Sequence, residues 1–122
     1  MGFYSPGMSV DVGDSIFVFV TGQIALGPDG TPVAPGDFTA QTEYIFKNIE
    51  AILLEAGARI DDVVKAVIYT TDITKFTEIS EVRNKYFAKA RPVSTLVEIN
   101  RTVCGGCDVE IEVIAVRQKE NG

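Results

Sequence analysis

The residue pattern predicts an α+β domain, a single sheet with two helices packed on one face and elements in the order ββαβαββ. Three observations carry that prediction. Alternating apolar runs lie toward both ends of the chain, a 3.6-residue apolar period fills the stretch from Phe38 to Gly57, and a second helical pattern follows Thr71. Residues 1–122 are read as one domain, because 46% hydrophobic content supplies one sizeable core and 122 residues leave no room for a second.

Met8 to Val12 is the first strand-like run, and Gly13-Asp14 reads as a turn. Ser15 to Thr21 follows, rich in β-branched and aromatic residues, so the two runs are expected to form a hairpin. Gly27 to Gly36 is dense in turn formers and predicts a surface loop. Beyond it Phe38, Ala40, Tyr44, Ile45, Ile49, Ile52, Leu53 and Ala56 fall largely on one helical stripe, with Asp37 as N-cap and Gly57 as the stop. Asp61 to Thr71 returns to strand character. A second helix is expected over Phe76 to Lys89, with Ile79, Val82, Tyr86 and Phe87 on its apolar side. Asp72 or Thr74 is its cap, and Pro92 marks the end of the region.

The last two strands are Pro92 to Asn100 and Asp108 to Val116. Strand alternation puts Leu96, Glu98 and Asn100 on one side of the first, and Asp108, Glu110 and Glu112 on one side of the second. If the runs pair through the connection from Arg101 to Cys107 with their apolar sides together, Glu98 lies near Glu110 or one of its acidic neighbours. Four carboxylates then share one face, where like charges repel. Two explanations stay open: a solvated outer face, or a polar cavity that needs a carboxylate. A sheet covered by helices on one side leaves its other face to water or to a neighbouring subunit, and a symmetric oligomer would create clefts at the subunit boundaries.

The net charge of −6 repels phosphate backbones, so nucleic acid is not an expected partner. The sequence contains no histidine, which removes the commonest general base, the commonest metal ligand and every Ser-His or Cys-His pair. Chemistry must come from carboxylates, hydroxyls, thiols, backbone amides or water. The longest apolar run, Ile16 to Val20, is far short of the roughly 20 residues of a membrane helix. A soluble, cytoplasmic protein without cofactor or metal is the expectation. Cys104-Gly-Gly-Cys107 admits a reversible disulfide or redox pair, half of a zinc site completed by a second chain, or two plain thiols.

Several segments together resemble one family. They are Phe19-Val-Thr-Gly-Gln-Ile24, the helical run from Gln41 to Gly57, Asp61-Asp-Val-Val-Lys65, Tyr69-Thr-Thr-Asp72, and Val97-Glu-Ile99 with Val109-Glu-Ile-Glu-Val-Ile-Ala-Val116. In order and spacing they closely resemble the Rid proteins (RidA-like, YjgF-type), often labelled endoribonuclease L-PSP or translation initiation inhibitor. The resemblance implies a chorismate-mutase-like fold and a homotrimer with ligand clefts between subunits. For many members it also implies enamine/imine deamination, the hydrolysis of reactive 2-imino acids.

Carried over residue by residue, the family's water-directing glutamate matches Glu110. Thr21 stands where a serine is usual, beside Gly22, and Tyr4 resembles the aromatic residue near the family's N-terminus. The main departure is Ser94, which occupies the position of the arginine that grips the substrate carboxylate. Thr95 and Leu96 follow it, Leu96 where cysteine is common. A hydroxyl cannot replace a guanidinium, and losing two charge-assisted hydrogen bonds of roughly 1.5–3 kcal/mol each lowers carboxylate affinity by roughly a few orders of magnitude. The helix asparagine that borders the family cleft falls on Ser80. Arg83 or Arg91 either restores a cation from a new direction or is a solvated surface residue.

Three functions follow, in order of preference. The first is a hydrolase acting on a small imine or enamine metabolite, with Glu110 directing water. The second is a non-catalytic trimer that binds a small molecule or a partner protein. The third is the endoribonuclease or translation-inhibitor role of some relatives.

Overall fold

In the computed structural model, which describes residues 5–120, two helices pack on one face of a five-stranded mixed sheet. The strands are β1 (Gly7–Val12), β2 (Ser15–Ile24), β3 (Val63–Thr70), β4 (Val93–Glu98) and β5 (Val109–Gln118). The helices are α1 (Phe38–Glu55) and α2 (Phe76–Tyr86), and short 3-10 turns at Ile60–Asp62 and Ile73–Lys75 precede β3 and α2. No helix among the described residues is long and apolar enough to cross a membrane.

Local signals set most of these elements. The Asp37 carboxylate accepts from the Ala40 amide at 2.9 Å and so satisfies one of the orphan donors of the first turn of α1. Gly57 ends the helix with φ +75°, a conformation that disfavours any residue with a Cβ. Ile45, Ile49 and Leu53 are buried as the helical stripe predicts. Phe46, off that stripe, is buried as well, stacked on Tyr86 at 4.7 Å and edge-on to Phe87 at 5.1 Å. Asp72 caps the 3-10 turn ahead of α2 through the Thr74 amide, and α2 ends at Tyr86, a turn short of the expected Lys89.

The strand order is β1-β2-β5-β3-β4, with β1–β2 a hairpin as expected. The β4–β5 pairing that the short connection allowed does not form. Instead β4 runs parallel to β3 at the sheet edge, and β5 inserts between β2 and β3, antiparallel to both. A helix between β3 and β4 supplies the crossover that parallel strands require. The central place lets β5 bury Val109, Ile111, Val113 and Ala115 against the helices.

That pairing overturns the four-carboxylate face. Glu98 stands opposite Thr70, which is buried on the helix side, and its carboxylate accepts from the Ile73 amide at 2.9 Å. It closes the β3–α2 connection, on the opposite face from Glu110. Asp108 accepts from the Thr71 hydroxyl at 3.0 Å. Only Glu110 and Glu112 remain as a facing pair on the open side of β5. The rest of that open face is largely apolar: Met8 and Val12 of β1 are 60% and 51% exposed, and Phe19 and Val97 are also exposed. The face lacks a cover in one chain.

Candidate functional site

A β-bulge builds the first half of the site. Val20 pairs with Val113 and Gln23 with Ile111, so Thr21 and Gly22 together stand opposite Glu112. The extra residue turns Gly22 under the Glu110 side chain. A Cβ there would sit 2.8 Å from Glu110 Cδ and 2.9 Å from Cγ. Gly22 is therefore needed for space rather than for backbone freedom, and the carboxylate rests directly on the β2 backbone.

The surroundings of Glu110 shift it toward its protonated form. Its carboxyl is raised above the ordinary value first by burial and then by the neighbouring charge of Glu112. Glu112 in turn accepts a hydrogen bond from the Tyr69 hydroxyl, and Tyr69 stands directly across from Glu110. That hydrogen bond is the largest cause pushing the Tyr69 hydroxyl up to about 12. A carboxyl with a raised pKa beside an open space can both take a proton from water and return one. Tyr69 and Glu112 were not among the sequence candidates. The signal for them was strand alternation, which puts Glu112 on the side of Glu110.

The second half is a groove of about 610 Å³ between the end of α2 and the start of β4, lined by Arg83, Asn84, Phe87, Arg91, Pro92 and Ser94, among others. Ser94 faces it because it pairs with Ala66, a core residue on the helix side. Arg83 Nε donates to the Asn84 side-chain oxygen at 3.3 Å, while the Arg91 amide donates to the Phe87 carbonyl at 3.0 Å. Arg91 adopts φ +46°, left-handed backbone that is uncommon outside glycine. Both arginines raised by the sequence thus share a groove with Ser94.

The remaining candidates scatter. Thr21 is exposed at the bulge, Ser80 lies half-buried on α2, and Leu96 packs against the core from the helix side. Thr95 points to the open face, because alternation separates it from both its neighbours. Tyr4 lies outside the described residues. Within one chain Glu110 and Ser94 occupy opposite faces of the sheet and are not brought together.

Cys104 and Cys107 are free thiols at the loop before β5. Cys107 is buried, with its Sγ 3.5 Å from the Ala25 carbonyl, and burial leads the causes that push its thiol up to about 11. Buried Gln41 fixes the loop to α1: its Nε2 donates to the Gly106 carbonyl at 2.6 Å and its Oε1 accepts from the Asp108 amide at 2.9 Å. No cluster of three or more His, Cys, Asp or Glu side chains suited to a metal occurs among the described residues.

Residues 1–117 match the family model described as Endoribonuclease L-PSP. A RutC family protein of Pyrococcus abyssi is 39% identical over 120 residues, covering 98% of this chain and 89% of that protein. A 2-iminobutanoate/2-iminopropanoate deaminase of Bos taurus is 31% identical over 117 residues, covering 96% and 82%. Among solved structures, yeast Mmf1 aligns with a TM-score of 0.84 at 32% identity, over 97% of this chain and 90% of its own. E. coli TdcF with bound serine aligns with a TM-score of 0.81 at 33% identity, over 97% and 91%. The family match spans Gly22, Ser94 and Glu110 alike, and the chain belongs to the endoribonuclease L-PSP family, the YjgF-type Rid proteins.

Proposed function

We propose that this chain is a divergent Rid-type homotrimer that hydrolyses a small imine or enamine metabolite in clefts between subunits. The observation that carries the reading is the half-buried Glu110 carboxylate seated on Gly22 with its pKa raised. In the reaction Glu110 accepts a proton as water adds to the imine carbon. It delivers that proton to nitrogen to give the neutral carbinolamine, then takes the carbinolamine hydroxyl proton and passes it to nitrogen as the carbon–nitrogen bond breaks, which releases a carbonyl compound and ammonia. Thr21, Ser80 and Ser94 supply hydroxyls and Arg83 a cation for the substrate.

The trimer reading rests on the apolar open face. Met8, Val10, Val12, Phe19 and Val97 are too exposed for a sheet that works alone, and covering them with a second copy offers a way for groups on opposite faces to meet across a boundary. The name of the Bos taurus relative supports imine deamination. Ser94 in place of an arginine favours a substrate other than 2-iminopropanoate.

The test is to generate 2-iminopropanoate or 2-iminobutanoate in situ and to follow its decay. Acceleration that Glu110→Ala abolishes supports hydrolysis. No acceleration across a panel of imines sinks it and favours the second reading, a trimer that only binds, for which Ser94 and the structure of E. coli TdcF with bound serine speak. RNA cleavage draws the least support, given the net charge of −6.

A further inference from the structure

We propose that the groove between α2 and β4 binds the phosphate group of a small metabolite, with Arg83 and Arg91 as its cations and Ser94 and Asn84 as neutral donors. Two guanidinium groups share one concavity in a chain whose net charge is −6. No carboxylate lines the groove, and the two ion pairs among the described residues, Lys85–Glu43 and Lys119–Asp11, engage neither arginine. The groove is an uncompensated positive site on an acidic protein.

The surroundings explain why the charge does not dissipate. The C-terminal end of α2 carries a partial negative charge that offsets part of one guanidinium, which leaves a positive surplus. Phe87, Ala88 and Pro92 form apolar walls, and they strengthen electrostatic attraction by displacing water. Arg91 holds its side chain at the groove from left-handed backbone, a conformation that a glycine would adopt more easily. The Arg91 amide bond to Phe87 fixes the turn.

Donor chemistry selects the ligand. Each guanidinium presents five N–H donors, Ser94 adds a hydroxyl and Asn84 an amide, and these residues line one groove from α2, the turn after it and β4. A planar monocarboxylate brings two oxygens and one charge, so two guanidinium groups leave a positive surplus and unused donors around it. A phosphate monoester offers three terminal oxygens and nearly two charges. The inference deepens the hydrolase reading by selecting phosphorylated imines or enamines, but binding alone does not depend on hydrolysis.

Calorimetric titration of the full chain with inorganic phosphate at low salt, and separately with succinate, tests the assignment. Saturable phosphate binding is expected, weaker with added sodium chloride and weakened about tenfold or more in Arg83→Gln and in Arg91→Gly. Arg91→Gly relieves the left-handed backbone, so it should melt at or above the wild-type temperature and separate lost binding from lost folding. No saturable phosphate binding, wild-type affinity in either variant, or tighter binding of succinate overturns the proposal. Wild-type protein that accelerates imine decay without binding phosphate overturns this inference alone. Phosphate binding without imine turnover overturns the hydrolase reading alone.

Discussion

Gly22→Ala separates the position of Glu110 from the integrity of the fold. Ordinary carbon contacts begin near 3.4 Å, so the new methyl group forces Glu110 Cδ to withdraw by about 0.6 Å and Cγ by about 0.5 Å. The atoms that must move belong to a side chain able to rotate, so the overpacking cost sits at the low end, about 1 kcal/mol. Gly22 has no positive φ, and alanine restricts the unfolded chain, which returns about 0.4–1 kcal/mol. The net stability change is expected to stay within about 1 kcal/mol in urea denaturation. The carboxylate, however, is displaced by a large fraction of an ångström from a water it must face, and misplacement on that scale costs about 10- to 100-fold in turnover. Imine decay with generated 2-iminobutanoate, measured beside the denaturation curve, reads both quantities. Turnover within about twofold of wild type, with stability unchanged, refutes the idea that Glu110 acts from its seat on Gly22.

Further outcomes follow from the same geometry. Because burial and Glu112 raise the Glu110 carboxyl, the folded chain holds that proton more tightly than the unfolded one, and stability falls as pH rises through the raised value. Glu110→Gln should therefore melt higher than wild type at pH 7 and lose that advantage below the ordinary value of 4.5, and equal melting at both ends counts against the shift. Phe19→Glu places a charge on the open face, so if the proposed trimer forms there, light scattering should fall from about three times 13.2 kDa to one, and an unchanged mass argues that this face is not the contact. With iodoacetamide at pH 8, half-exposed Cys104 should alkylate first and buried Cys107, with its thiol pushed up to about 11, far more slowly. Equal rates by mass spectrometry refute the burial of Cys107.

Local order was legible and strand partnership was not. Asp37, Gly57 and the stripe through Ile45, Ile49 and Leu53 specify α1 from within their own stretch, because caps and helical period depend on neighbours a few residues away. Alternation along β5 likewise assigned Glu110 and Glu112 to one side. It says nothing about which strand lies beside β5, and proximity in sequence suggested β4. The arrangement of a strand, a helix and a strand from Val63 to Glu98 did hold the missing information, since a helical crossover returns the chain parallel to its start. The Gly22–Glu110 contact was half legible: both residues were candidates, but that Glu110 takes the Cβ space of the glycine follows only from the β2–β5 register. Tyr69 was missed because its partner Glu112 lies 43 residues away and meets it only through the β3–β5 register.

The two halves of the site make different demands on assembly. The groove of Arg83, Arg91 and Ser94 is built by α2 and β4 of a single chain, so an anion needs no second copy to bind there. Glu110 lies on the other face, over a bulge flanked by apolar strands that one chain leaves bare. A small metabolite cannot touch both faces of one sheet, whose thickness with side chains is on the order of 10 Å. If the same molecule is gripped at Ser94 and hydrolysed at Glu110, the two groups must come from different protomers. A monomeric Phe19→Glu protein then keeps phosphate binding and loses imine turnover, whereas losing neither would mean that Glu110 completes its chemistry on the open face of its own chain.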